Sequence, residues 1–480
     1  MKRWIVRIVA AVVLIAASLP IGGAASALNR LPDLQPWHHL VTRLEPTAGE
    51  MAGEFSLADY LRREDAVFLE VKSRVEDVVS RDANPSVPNR YVRTSRSHPS
   101  RLATDWNRTQ SSEPAQVRAG ALLIHGLTDS PYSMRAVAER LQAEGYYTLS
   151  LRMQGHGTVP GGLVDVAWED WLAAVRMGAR HVRKQIGEGR PLVMVGYSNG
   201  GALVTKYSLD VAEGADWPAP SKIILLSPMI GVSPTAWLAR AISRFGAIPF
   251  FEKARWLDVV PEYNPFKYNS FPTNAGFQTA RLTAALREQV ARLESAGALA
   301  RLPPILAFQS VIDATVSTPA VVHDLFDHLP AGGHELVLFD INRSSGIEPF
   351  LRPGEVLPRL LEGGPRRYAA TLLTNSRADT NEVSAMSVAA GSTAMATDAL
   401  MMSWPPDVFS LSHVAIPFPE DDSVYGGASR GREEGSVSLG RVSVRGEKGV
   451  LIVPQDVLMR VTWNPFFAYL AARVEAWAAF

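Results

Sequence analysis

Between Ala119 and Pro228, short apolar runs of strand length alternate with longer segments of helical period, a texture that few folds accept. Ala121–Leu127, Tyr146–Arg152, Pro191–Tyr197 and Lys222–Pro228 have strand character. Between them lie three helical stretches: Tyr132–Glu144, closed by Gly145, then Trp168–Ile186 and Gly200–Ala212. The second places Trp171, Val175, Ala179 and Val182 on one face. Strands alternating with helices of this length predict an α/β protein with a mostly parallel central sheet and helices on both faces. The alternation stops from Ile230 to Leu302, a stretch rich in aromatics (Trp237, Phe245, Phe250, Phe251, Trp256). It resumes with a strand at Pro304–Ser310, a helix at Pro319–Leu329 and a strand at Glu335–Ile341. Residues 343–410 break it again with Gly363-Gly364-Pro365 and an Ala/Ser/Met-rich run. A polar stretch from Glu420 to Gly449 then precedes a closing amphipathic helix, Pro465–Ala479.

The 480 residues would allow about three domains at ordinary domain size, but the pattern reads as one α/β domain interrupted by insertions. Ahead of it, Ser56–Val79 predicts one or two helices, and Pro85–Glu113 irregular or edge-strand structure. Lys2, Arg3 and Arg7 precede an uncharged apolar run from Ile8 to Leu28 that ends in Ala24-Ala25-Ser26-Ala27. This is the secretory pattern, with cleavage at Ala25-x-Ala27, and Pro20, Gly22 and Gly23 favour it over an uncleaved anchor. Either way, the expectation is a catalytic domain outside the cytoplasm, periplasmic, extracellular or membrane-anchored. Lys+Arg and Asp+Glu balance at 48 each, so no basic footprint for nucleic acid appears. The absence of cysteine excludes disulfides, thiolate metal sites and a cysteine nucleophile.

Gly196-Tyr197-Ser198-Asn199-Gly200 lies between the strand residues Leu192–Val195 and a helix. A serine at such a turn adopts strained backbone geometry, and flanking glycines remove the Cβ atoms that would clash. Ser198 is therefore the predicted nucleophile. Acyl transfer needs two N–H donors at the developing oxyanion. The loop His125-Gly126-Leu127-Thr128-Asp129-Ser130 supplies one from Leu127, and Asn199 the other. His125 is expected to brace that loop. The base and its orienting acid should follow Ser198 in the chain. Asp313, after the strand ending at Ser310, is the predicted acid, with Asp340 as the alternative. Among His323, His328, His334 and His413, the first two fall on a helix and His334 precedes its strand, which leaves His413 as the base. No H-E-x-x-H, P-loop or strand-linked G-x-G-x-x-G is present. His38-His39 reads as an exposed polar pair. Asn107-Arg108-Thr109 and Asn342-Arg343-Ser344 match the weak N-x-[ST] pattern.

Leu123-Ile124-His125-Gly126-Leu127-Thr128-Asp129-Ser130-Pro131, Arg152-Met153-Gln154-Gly155-His156-Gly157, Trp168-Glu169-Asp170-Trp171 and Gly196–Gly201 together resemble the α/β-hydrolase superfamily. The nearest texture is its monoacylglycerol-lipase-like and serine-aminopeptidase-like branch. The resemblance is strong over Ala119–Pro228, moderate over Pro303–Ile341, and then confined to the segment around His413. It implies an eight-stranded sheet, a Ser–Asp–His triad, an inserted helical cap, and no cofactor or metal. The organisation expected is a signal peptide or anchor at 1–27 and an N-terminal extension at 28–118. The core would occupy 119–229 and 303–342 around a cap at 230–302. A second insertion, 343–410, would precede the His loop and closing helix at 411–480. About 100 residues separate Asp313 from His413, a departure from compact relatives. The expected activity is hydrolysis of small-molecule or lipid esters with apolar acyl groups, with membrane association through the N-terminus. The alternatives are a serine aminopeptidase, for which Glu252, Asp258 or Glu262 would hold the substrate amine, and a non-catalytic, membrane-tethered binding protein.

Overall fold

The computed structural model describes residues 31–81, 84, 86–231, 249–313, 315–345, 364–406, 408–427, 437–439 and 460–480. The expected export segment lies outside these, as do Trp237 and Phe245. Among the described residues no helix is long and apolar enough to cross a membrane.

Strands β1 (Gln110–Ser112), β2 (Ala119–Ile124), β3 (Tyr146–Leu151), β4 (Leu192–Tyr197) and β5 (Lys222–Leu226) precede a two-stranded ribbon, β6 (Trp256–Asp258) with β7 (Phe271–Pro272). They are followed by β8 (Ile305–Ser310), β9 (Glu335–Phe339), β10 (Ala369–Asn375), β11 (Glu382–Val388) and β12 (Met395–Ser403). The main sheet has the order β1-β3-β2-β4-β5-β8-β9-β10-β11-β12. It is parallel from β3 to β10, with β1, β11 and β12 antiparallel at the edges. Among the described residues the sheet has ten strands where the resemblance implied eight. The difference lies partly in the stretch expected to be an insertion, whose residues 369–403 continue the sheet. Its Ala, Ser and Met residues have weak strand propensity, and pairing against β9 decides their conformation.

The core strands are buried on both faces. Leu122 and Ile124 of β2 pack with helices α3 (Trp168–Ile186), α4 (Asn199–Glu213) and α5 (Thr273–Ser295). Ala121 and Leu123, pointing the other way, pack with α2 (Arg135–Ala143) and the closing helix α6 (Phe467–Ala478). This is why the runs are continuously apolar rather than alternating. The face of α3 foreseen from periodicity is the buried one: Trp171, Val175, Ala179 and Val182 are inaccessible to solvent. Burying side chains of this size stabilises the layer by about 1.5–3 kcal/mol each.

The N-terminal extension forms a turn of helix at Pro36–His39 and the helix α1 (Leu57–Val71), which continues to Val79. It is tied to the core through Arg152, whose side chain is fully buried. The Arg152 guanidinium donates to both Glu45 carboxylate oxygens (2.8 and 2.9 Å) and to Glu64 (2.9 Å). Asp170, at the start of α3, accepts from Ala167 N and from Ala48 N of the extension. His38 corrects the expectation of an exposed pair. It is buried, with Nδ1 accepting from Gln35 N and Nε2 bonded to Ser270 Oγ at 3.0 Å. The Asn107 and Asn342 side chains are also buried, and each amide donates to a backbone carbonyl.

Candidate active site

Ser198 sits at the turn from β4 into α4 with φ 54° and ψ −117°, a conformation that side chains rarely adopt. Two close approaches enforce this turn. A Cβ on Gly196 would lie 2.5 Å from the carbonyl oxygen of Gly200, and one on Gly200 would lie 2.1 Å from that of Ile124. Ser198 N donates to Leu226 O of β5, and Ser198 O accepts from Met229 N, so the backbone is fixed on both sides.

Ser198 Oγ is 2.9 Å from His413 Nε2, and His413 Nδ1 is 2.7 Å from Asp313 Oδ2. Asp313 follows β8. Its Oδ1 accepts from Thr315 N and Val316 N, and its Oδ2 also accepts from Gln309 Nε2. A carboxylate taking this many donors remains an acceptor for the ring N–H of His413. His413 opens a short turn after β13 (Ser410–Leu411), which pairs with β14 (Arg460–Val461). The long excursion from Asp313 returns to the sheet because Asn342, just past β9, binds both sides of the incoming chain. Its N–H donates to Phe409 O and its amide to Val408 O. The Tyr197 ring stacks on the His413 ring at 5.4 Å, a support that nothing in the local sequence announced.

The alternative residues lie elsewhere. Asp340 is buried and bonded to Arg343 and Thr374. His323 and His328 pair with Asp327 and Glu294 at the surface. His334 accepts from Ile305 N at the opposite end of β8.

The loop His125–Ser130, expected to carry one oxyanion donor, is braced by its own histidine. Gly126 O accepts from His125 Nδ1 (2.8 Å), while His125 Nε2 accepts from Met153 N (3.0 Å). That pattern is the neutral Nδ1–H tautomer. Burial pushes the His125 pKa down to about 3, which keeps the ring neutral. Because a trans peptide directs its N–H opposite its C=O, the Leu127 N–H faces away from His125. Asn199 N–H belongs to the first turn of α4, where helical N–H groups have no intrahelical acceptor. Leu127, Ser198 and His413 border one cavity of about 600 Å³. Met229, Leu257 and Phe271 give it apolar walls, and Lys267 and Asp258 bring opposite charges. Of the carboxylates considered for amine binding, only Asp258 reaches this cavity. Glu262 is buried and accepts from Asn269 N and Ser270 N, and Glu252 faces His39. Trp256 packs beside His38 rather than on the cavity. No cluster of His, Asp and Glu among the described residues could hold a metal.

Residues 115–341 match the family model described as serine aminopeptidase, S33. With the sheet order and the strand–Ser198–helix turn above, this part of the chain has the α/β-hydrolase fold. A thermostable monoacylglycerol lipase of Bacillus sp. (strain H-257) is 28% identical over 180 residues, 36% of this chain. The chain spans 65% of that relative's length. Two solved structures are similar over 48% of this chain. A soluble variant of the Saccharomyces cerevisiae monoglyceride lipase is 15% identical with 82% of its length covered, TM-score 0.40. The Paleococcus ferrophilus monoacylglycerol lipase is 17% identical with 88% covered, TM-score 0.36.

Proposed function

We propose that this chain hydrolyses carboxylic esters through an acyl-enzyme on Ser198. The observation that carries the reading is the continuous hydrogen-bonded chain from Ser198 through His413 to Asp313 at the edge of a cavity. In this mechanism Ser198 Oγ attacks the ester carbonyl carbon and His413 Nε2 takes the hydroxyl proton. Asp313 holds the imidazole tautomer and stabilises the imidazolium. The N–H groups of Leu127 and Asn199 receive the tetrahedral oxyanion. His413 then protonates the departing alkoxide. Water, deprotonated by the same ring, releases the acid and restores Ser198. The apolar walls from Met229, Leu257 and Phe271 suit an aliphatic acyl group, and the monoacylglycerol lipase relative supports a lipid ester. No cofactor enters any step. The positively flanked apolar run before Leu28 supports export or membrane anchoring, with the catalytic domain outside the cytoplasm.

One observation favours a second reading, that of a serine aminopeptidase. Asp258 lies on the cavity wall, where a carboxylate could hold a substrate α-amine. A panel of p-nitrophenyl esters of increasing acyl length, run beside aminoacyl p-nitroanilides, separates the two. The ester reading expects faster turnover of the esters, abolished in Ser198→Ala. Faster amide turnover would favour the peptidase, and no turnover of either would favour a binding protein.

A further inference from the structure

Three consecutive carbonyls, those of Gly126, Leu127 and Thr128, run along the oxyanion loop, and each is held by a different group. The core supplies the first holder, His125 Nδ1–H on Gly126 O. The other two come from the cap. Lys267 Nζ donates to Leu127 O at 3.2 Å and to Thr128 Oγ1 at 3.0 Å, and Tyr268 N donates to Thr128 O at 2.7 Å. Between these grips Thr128 has φ 62°, a left-handed conformation that a β-branched residue keeps only when its surroundings impose it. The Leu127 N–H is thus set from one side by the core and from the other by a cap strap, Asn264–Ser270. The strap is itself rigid. Asn264 Oδ1 accepts from Phe266 N and Lys267 N, and the N-terminal extension holds it through Asn107 on Pro265 O and His38 on Ser270.

We propose that Lys267 is a positioning residue for the oxyanion donor, so that the cap completes the catalytic geometry as well as covering the substrate. The inference rests on the ester-hydrolase reading and deepens it. Lys267 lines the same cavity as Ser198 and Leu127. Its ammonium therefore fixes the loop mechanically and adds positive potential where the oxyanion forms. Burial pushes the Lys267 pKa down, and Asp129, buried on the same loop, opposes that shift; Asp258 is the other acidic group on the cavity wall.

The test uses the full chain and a p-nitrophenyl ester that the wild type cleaves. It compares Lys267→Met, Lys267→Arg and Thr128→Val by steady-state kinetics. Affinity for an alkylboronic acid, whose adduct on Ser198 presents an oxygen at the oxyanion position, is measured in parallel. Removing an oxyanion donor outright costs on the order of 100- to 1,000-fold in kcat, so loosening one through Lys267 should cost about 10- to 100-fold. KM should stay within about threefold, boronate affinity should fall in step with kcat, and Arg should recover most of the loss. A role confined to fold stability would lower the thermal midpoint and leave kcat and boronate affinity of the folded protein unchanged, which would overturn the proposal. A raised KM with unchanged kcat would overturn it too, making Lys267 a substrate-binding group. Should Lys267→Met fail to fold, Thr128→Val, which deletes one acceptor and keeps the branched shape, decides. A fall in its kcat and boronate affinity supports the inference, and wild-type values overturn it. Absence of ester cleavage by the wild type would overturn the ester reading and the inference together, whereas cleavage with wild-type kinetics in every variant would overturn the inference alone.

Discussion

Ser198 and Thr128 are both held at positive φ beside the same cavity, yet by different parts of the molecule. The Ser198 turn is enforced by neighbours within the sheet and α4, through Gly196, Gly200 and the β5 carbonyl of Leu226. Thr128 is gripped by Lys267 and Tyr268, which come from a cap strap about 140 residues further along the chain. The Ser198 turn is therefore a property of the core, while the loop proposed to hold the oxyanion needs the cap in place. The cap strap in turn leans on the N-terminal extension. Two layers of structure added around the sheet, the cap strap and the extension behind it, converge on a single loop.

The comparison can be broken at its core side first. Asp313→Asn keeps the shape of the carboxylate but favours the wrong imidazole tautomer. It should lower kcat by roughly 10⁴-fold with little change in thermal midpoint, read by ester hydrolysis beside calorimetry. A loss below tenfold would remove Asp313 from the mechanism. The link between extension and core comes next. Arg152→Met leaves Glu45 and Glu64 facing each other without their cation, and breaking a buried pair in this way costs about 3–5 kcal/mol. A shift of less than about 1 kcal/mol in urea unfolding would mean that the extension merely covers the core.

The smallest effect comes from His38, which joins the extension to the strap. Burial, with the neighbouring His39 adding repulsion, pushes its pKa from 6.5 down to about 3. A histidine depressed in the folded state contributes stability that is full above pH 6.5 and is lost as the pH falls toward 3. At pH 5 that loss is about 2 kcal/mol. His38→Asn should therefore shrink the difference in unfolding free energy between pH 7 and pH 5 by about that amount. An unchanged difference would show that His38 does not contribute to the acid sensitivity.

Much of the core was legible because its signals are local. The Trp168–Ile186 helix and the strand–Ser198–helix turn each announce themselves within about 20 residues, through period, glycine placement and apolar runs. His413 was reached by excluding histidines on helices or at the wrong strand end. What sets its place, Asn342 binding Phe409, spans too much chain to show as a pattern. Lys267 and Tyr268 carried no signal at all, because a lysine in an irregular segment gains meaning only when the segment folds onto the oxyanion loop. Strands β10 to β12 were missed for a related reason: their residues are mediocre strand formers, and the waiting edge of β9 makes them strands.

Labelling with a fluorophosphonate tests the central claim most directly. The full chain is treated with the reagent, digested, and the adduct located by mass spectrometry. An activated Ser198 predicts one phosphonyl adduct per chain, on the peptide containing Ser198, absent from Ser198→Ala and strongly slowed in His413→Ala. No adduct, or an adduct on a different serine, would contradict it.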